Sequence, residues 1–220
     1  MLVNEQDDEL VHKHDSRKTP GLDGLSVTTR FLAAVAFIAA SFYRYPRETF
    51  DYKISARIFI GAMSFFLLSN CLEMISASKL GKAVAGHATC AFGVSLFIAG
   101  SIIELVKLSS SEYYSGGDGG PLIDVDAYLW ITGSIFLVIG HLVETIAAAS
   151  KQAPALGILG SLFFVIGSVL TLRHFVFLDV EDFQNHVEDL FTAQSALYLT
   201  GSSVYVLHAI VYTIAKYSRV

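Results

Sequence analysis

Long apolar stretches broken by short polar links dominate the chain, and their lengths carry most of its structural information. Five runs hold enough apolar residues for a helix rising about 1.5 Å per residue to cross a hydrocarbon layer about 30 Å thick. They are 58–77, 84–106, 127–149, 155–178 and 193–215. A sixth, 27–43, is shorter and carries Arg30 near its edge. The pattern predicts an all-α, polytopic transmembrane bundle of six spans, one membrane domain over 27–217. A polar, mobile tail precedes it over 1–26, with a short helix around Glu9 to His14. The segment from Asp179 to Thr192 spaces Phe183, Val187 and Leu190 as an interfacial helix would.

Within five of the spans a second pattern recurs: a small residue, another seven positions on, and a polar residue four positions further. It reads Ala62, Ser69, Glu73; Gly93, Gly100, Glu104; Gly133, Gly140, Glu144; Gly160, Gly167, Thr171; and Gly201, His208, Tyr212. Offsets of seven and eleven return to within about 20° on a helical wheel, so each triplet lines one stripe. In lipid, helices associate by close backbone approach, which glycine, alanine and serine permit. The stripe is therefore a packing seam, between helices of one chain or between copies in a homo-oligomer. Five similar spans also point to a bundle grown by duplication of one or two helices.

Composition agrees with this picture: 53% of the 220 residues are hydrophobic and 16% charged, against about 25% charged in soluble domains. The 15 basic residues are scattered between spans, which excludes a nucleic-acid surface. With six spans, the termini share a face with the Lys79 and Lys151 links. That face collects Lys13, Arg17, Lys18, Arg30, Lys79, Lys82, Lys151, Lys216 and Arg219. The other holds Arg44, Arg47, Lys53, Arg57, Lys107 and Arg173 with the acidic loops. The positive-inside rule then places both termini in the cytoplasm.

The segments Trp130-Ile-Thr-Gly-Ser-Ile-Phe-Leu-Val-Ile-Gly and Gly157-Ile-Leu-Gly-Ser-Leu-Phe-Phe-Val-Ile-Gly-Ser share a Gly-Ser, Phe, Gly arrangement. It resembles that of the YrhK-like membrane proteins around residues 127–178. The resemblance implies a small helical membrane module and brings no activity, cofactor or site residue with it.

Candidate chemistry lies in polar residues inside the spans. Glu73 and His87 flank the Lys79 link at equal depth and are expected to touch, and His141, Glu144 and His208 belong to the same membrane side. Carboxylates and imidazoles clustered in a low-dielectric bundle suit a proton relay or a transition-metal site. His87 stands about 120° from its own helix's seam, which counts against its joining Glu104. Glu104 and Arg173 are secondary candidates at the opposite face, where Arg173 and His174 are expected to pair with Glu104 or Asp179. The competing interpretation pairs Glu73, Glu104 and Glu144 with Lys79, Lys107 and Lys151 at the headgroups. Cys71 and Cys90 lie at similar depth and read as packing thiols.

No phosphate loop, HExxH or nucleophile elbow occurs. Three functions follow: a small transporter or channel-like protein for protons or a cation, a membrane scaffold or accessory subunit, and a membrane-embedded enzyme.

Overall fold

A computed structural model describes residues 20–44, 52–107, 109, 125–147, 151–170, 172 and 180–218. Every regular element among them is a helix: α1 (Pro20–Arg44), α2 (Tyr52–Lys79), α3 (Ala85–Lys107), α4 (Val125–Ala147), α5 (Gln152–Val169) and α6 (Val180–Tyr217). All six are long and apolar enough to cross a membrane, over Gly21–Arg44, Lys53–Lys79, Ala85–Lys107, Val125–Ala147, Gln152–Val169 and Thr192–Tyr217. The chain is a multi-pass helical membrane bundle.

Local chemistry sets several of the ends. Proline at the first position of α1 has its φ fixed at a helical value and lacks only an N–H that would have no partner. Asp23 in the first turn and Arg44 in the last complement the helix dipole. At the end of α2, Gly81 takes φ +65°, a conformation that costs a residue with a Cβ. The Lys82 N–H then donates to Ala77 O at 2.9 Å and the Gly81 N–H to Ser78 O at 3.1 Å, closing the helix and turning the chain into α3.

Four boundaries differ from the hydropathy expectation, α2 beginning at Tyr52 and not at 58. Helix α1 begins at Pro20, because Ser26, Thr29 and Arg30 are buried inside the bundle. Helix α5 ends at Val169. The expected interfacial helix is continuous with the last span, as α6 runs unbroken for 38 residues. The expected helix around Glu9 to His14, together with Arg173, His174 and Asp179, lies outside the described residues.

Each helix packs on the next in chain order, and α6 returns against α1 to close a ring. The outer surface carries Leu32, Val35, Leu68, Phe92, Ile139, Ile166 and Leu207, all exposed. Arginine, glutamate, histidine and serine are buried instead. This inversion of a soluble protein is stable where the surrounding solvent is hydrocarbon.

The seam pattern extends to the first helix, where Ala33, Ala40 and Arg44 are all buried. Four residues after the first small position, each helix contributes one large buried residue: Phe37, Phe66, Phe97, Leu137, Phe164 and Tyr205. These side chains meet along the ring's axis. Phe37 lies 5.7 Å from Phe59, 6.0 Å from Phe164 and 5.9 Å from Tyr205 between ring centroids, and Phe97 lies 6.0 Å from Phe164. An aromatic layer therefore fills the middle and separates two polar ends.

The glycine stripe is used within the chain. A Cβ on Gly93 would stand 2.6 Å from Gly133 O, and one on Gly133 would stand 2.7 Å from Gly93 O. Gly160 and Gly201 face one another similarly, while Gly100 abuts Trp130, Gly140 abuts Cys90 and Gly167 abuts Tyr198. All seven seam glycines meet atoms of their own chain, so the bundle itself accounts for the stripe.

Candidate functional site

The even-numbered helices run toward the end that holds the Lys79 link, so their polar seam residues Glu73, Glu144 and Tyr212 gather there. Odd-numbered helices bring Arg44 and Glu104 to the opposite end. There the guanidinium of Arg44 grips Glu104 at 2.6 and 3.3 Å and stacks on Trp130 and Tyr198, 4.9 and 5.5 Å from the ring centroids. Lys107 pairs with Asp126 at 2.6 Å. The acid expected to pair with Arg173 or Lys107 is thus held by Arg44, a residue that hydropathy places at a span's edge.

At the Lys79 end, Glu73 accepts from Lys216 Nζ at 2.5 Å and from the Ser26 hydroxyl. Lys216 also lies 3.0 Å from Asp23. Arg30 donates to Ser69 through Nε at 3.1 Å and lies 4.0 Å over the Tyr212 ring. Glu73 is therefore balanced by the cations of α1 and α6. The expected contacts of Glu73 with His87 or Lys79 do not form, because equal depth fixes height along the bundle and not position around it.

The remaining candidates do come together. Glu144 lies with Oε1 2.7 Å from His87 Nδ1 and Oε2 3.1 Å from His141 Nδ1. The His87 contact is close in distance, with the ring turned out of line for a straight hydrogen bond. His208, fully buried, places its ring 5.1 Å from that of His141. Neither of its nitrogens has a hydrogen-bond partner, nor does His141 Nε2. Cys90 Sγ is 4.0 Å from Glu144 Oε1. Ligand atoms of Cys90, His141 and Glu144 all lie within 4.8 Å of one another. Both cysteines are free, and Cys90 faces this cluster and not Cys71.

Glycine makes the room. A Cβ on Gly86 would fall 2.6 Å from Glu144 Cγ, one on Gly157 would fall 2.7 Å from the His141 ring, and one on Gly140 would collide with Cys90. Gly86 and Gly157 were not in the seam inferred from sequence. Their signal was available for Gly86, which precedes Gly93 by the same seven-residue step.

Charge separates this cluster from the others. Glu73 and Glu104 each face a lysine or arginine, whereas the described contacts of Glu144 are two imidazoles and the Cys90 thiol. A buried carboxylate costs several kcal/mol to desolvate without a balancing charge. The seam register makes the contrast sharper: counting three residues back from the first small position gives Arg30 in α1 and Cys90 in α3. Where the first hairpin sets a fixed cation, the second sets a thiol. Comparison with protein-family models, curated proteins and solved structures gave no match to this chain.

Proposed function

We propose that the chain is a small transporter or channel-like membrane protein for protons or a cation, loaded at Glu144. One observation carries this reading: Glu144 is a largely shielded carboxylate inside the bundle whose direct described partners include no lysine or arginine. A mobile positive charge completes such a site, and His87, His141 and His208 form a path of imidazoles around it. On the charge bias of the links, the Lys79 end is cytoplasmic, so loading occurs from that face. The aromatic layer is the barrier, and passage requires its rings to part. The resemblance to the YrhK-like membrane proteins belongs to this proposal as an assignment of module type alone.

In liposomes holding the purified protein, proton entry is followed with a trapped pH dye and divalent-metal entry with a trapped chelating dye. Wild type is expected to conduct at least one, and Glu144→Gln and His208→Ala to lose that flux while eluting as folded protein. Equal flux in wild type and both variants, or none in wild type, contradicts the proposal.

A scaffold or accessory-subunit role is the second reading, favoured by the filled aromatic middle. It predicts that Glu144→Gln leaves the protein's cellular effect unchanged, whereas enlarging Gly133 or Gly140 abolishes it.

A further inference from the structure

We propose that Cys90, His141 and Glu144, with His208 stacked edge-on beside His141, form an intramembrane site for one divalent transition-metal ion of the zinc class. The inference rests on the cation reading of Glu144 and adds a ligand, Cys90, and a metal class to it.

The cluster is built from two facing pairs. His87-x-x-Cys90 on α3 opposes His141-x-x-Glu144 on α4, and a spacing of three puts both members of each pair on one helix face. Bundles build metal sites from such i, i+3 pairs on facing helices. Zinc bonded at about 2.0–2.3 Å sets neighbouring tetrahedral ligands about 3.3–3.8 Å apart. The 4.8 Å limit here leaves roughly 1 Å of closure. Small rotations of Glu144, Cys90 and His141, which lie directly on the bare backbone of Gly86, Gly140 and Gly157, supply it.

Two further observations point to a ligand. Both nitrogens of His208 and Nε2 of His141 are buried without partners, which is costly unless something accepts their lone pairs or protons. The charge also closes. A divalent ion bound by one thiolate and one carboxylate is neutral overall, the state a low-dielectric bundle tolerates best. The Cys90 thiol gives up its proton to the aqueous side on binding, so one proton leaves for each ion that enters. Donor chemistry selects the metal: thiolate and imidazole favour zinc, cobalt and copper, whereas magnesium and calcium take oxygen ligands. His87, against the same Oε1 of Glu144 that faces Cys90, acts as a positioning residue.

The test is titration of the full-length, detergent-purified protein with cobalt(II) after chelator treatment. Wild type is expected to bind one equivalent, with tetrahedral ligand-field bands and a near-ultraviolet thiolate-to-cobalt charge-transfer band, both removed by zinc. Cys90→Ser, close to isosteric, is expected to lose the charge-transfer band, and Cys71→Ser to keep it. His87→Gln is expected to keep the band while weakening affinity about 10–100-fold, as loss of an outer-shell partner does. A wild type without the band, or a band surviving Cys90→Ser, overturns the proposal. Proton flux from a protein that shows no cobalt band would overturn the metal assignment and leave the Glu144 reading standing. A cobalt band without flux would support the site and remove the transport reading.

Discussion

Gly133→Leu is expected to prevent the bundle from assembling, with loss of the monodisperse species on size-exclusion chromatography and of the cooperative thermal transition. A single added carbon at Gly133 already falls 2.7 Å from the Gly93 carbonyl oxygen and 2.9 Å from the Phe97 ring. The obstacle at Gly93 is backbone, which cannot swing away, so α3 and α4 must separate. Extra methylenes in a packed core cost about 1–3 kcal/mol where side chains can adjust, and more where they cannot. In lipid no hydrophobic force remains to hold the separated helices. The same substitution at Gly61, where an added Cβ meets nothing within 4 Å, is expected to be silent and serves as the control. Comparable elution of Gly133→Leu and wild type would show that α3 and α4 do not cross at these glycines.

Arg44→Met is expected to cost about 3–5 kcal/mol, the penalty for leaving one member of a buried ion pair without the other. Arg44 binds Glu104 through two nitrogens while its guanidinium covers Trp130 and Tyr198, and both charged side chains are almost fully shielded. Methionine keeps much of the arginine stem's packing and removes the charge. Adding Glu104→Gln to Arg44→Met is therefore expected to recover much of the loss, since the charge stranded by the first change is then gone. Thermal unfolding of the two single variants and the double variant measures this as a coupling energy. Additive losses would mean that Arg44 acts through its ring contacts and not through Glu104.

The six spans were legible because hydropathy tracks contact with lipid, and lipid surrounds the whole ring. What hydropathy cannot express is polarity turned inward. Ser26, Thr29 and Arg30 lower the score at the start of α1 as tail residues would, yet all three are buried, and Ser26 and Arg30 face Ser69, Glu73 and Tyr212 across the bundle. Extending the seam triplet to Ala33, Ala40 and Arg44 would have identified the depth of α1 and set Arg44 inward at the same end as Glu104.

The candidate site was partly legible for similar reasons. Glu144 and His141 share a helix face, and His208 stands at a seam position otherwise held by small residues, so periodicity brings all three inward. Periodicity gives no azimuth around the bundle. Glu73 was accordingly matched with His87, which sits on the neighbouring helix, although Glu73 turns to Lys216 of α6 and His87 turns to Glu144 of α4. Cys90 looked like packing because a thiol in an apolar run has no periodic signature of its own. Its meaning comes from facing Glu144 where Arg30 occupies the matching seam register of the first hairpin.

Glu144 as a carboxylate held for a mobile cation, in contrast to its structurally paired counterparts, is tested most directly by thermal unfolding of Glu144→Gln beside Glu104→Gln in metal-free, chelator-treated detergent solution. Glutamine at 104 strands Arg44 and is expected to lower the midpoint by about 10 °C, from about 3–5 kcal/mol at roughly 2–4 °C per kcal/mol for a chain of this size. Glutamine at 144 breaks no direct pair with a lysine or arginine, so its midpoint is expected to match or exceed that of wild type. A fall at Glu144→Gln as large as that at Glu104→Gln would make Glu144 one more structural ion-pair partner and contradict the account.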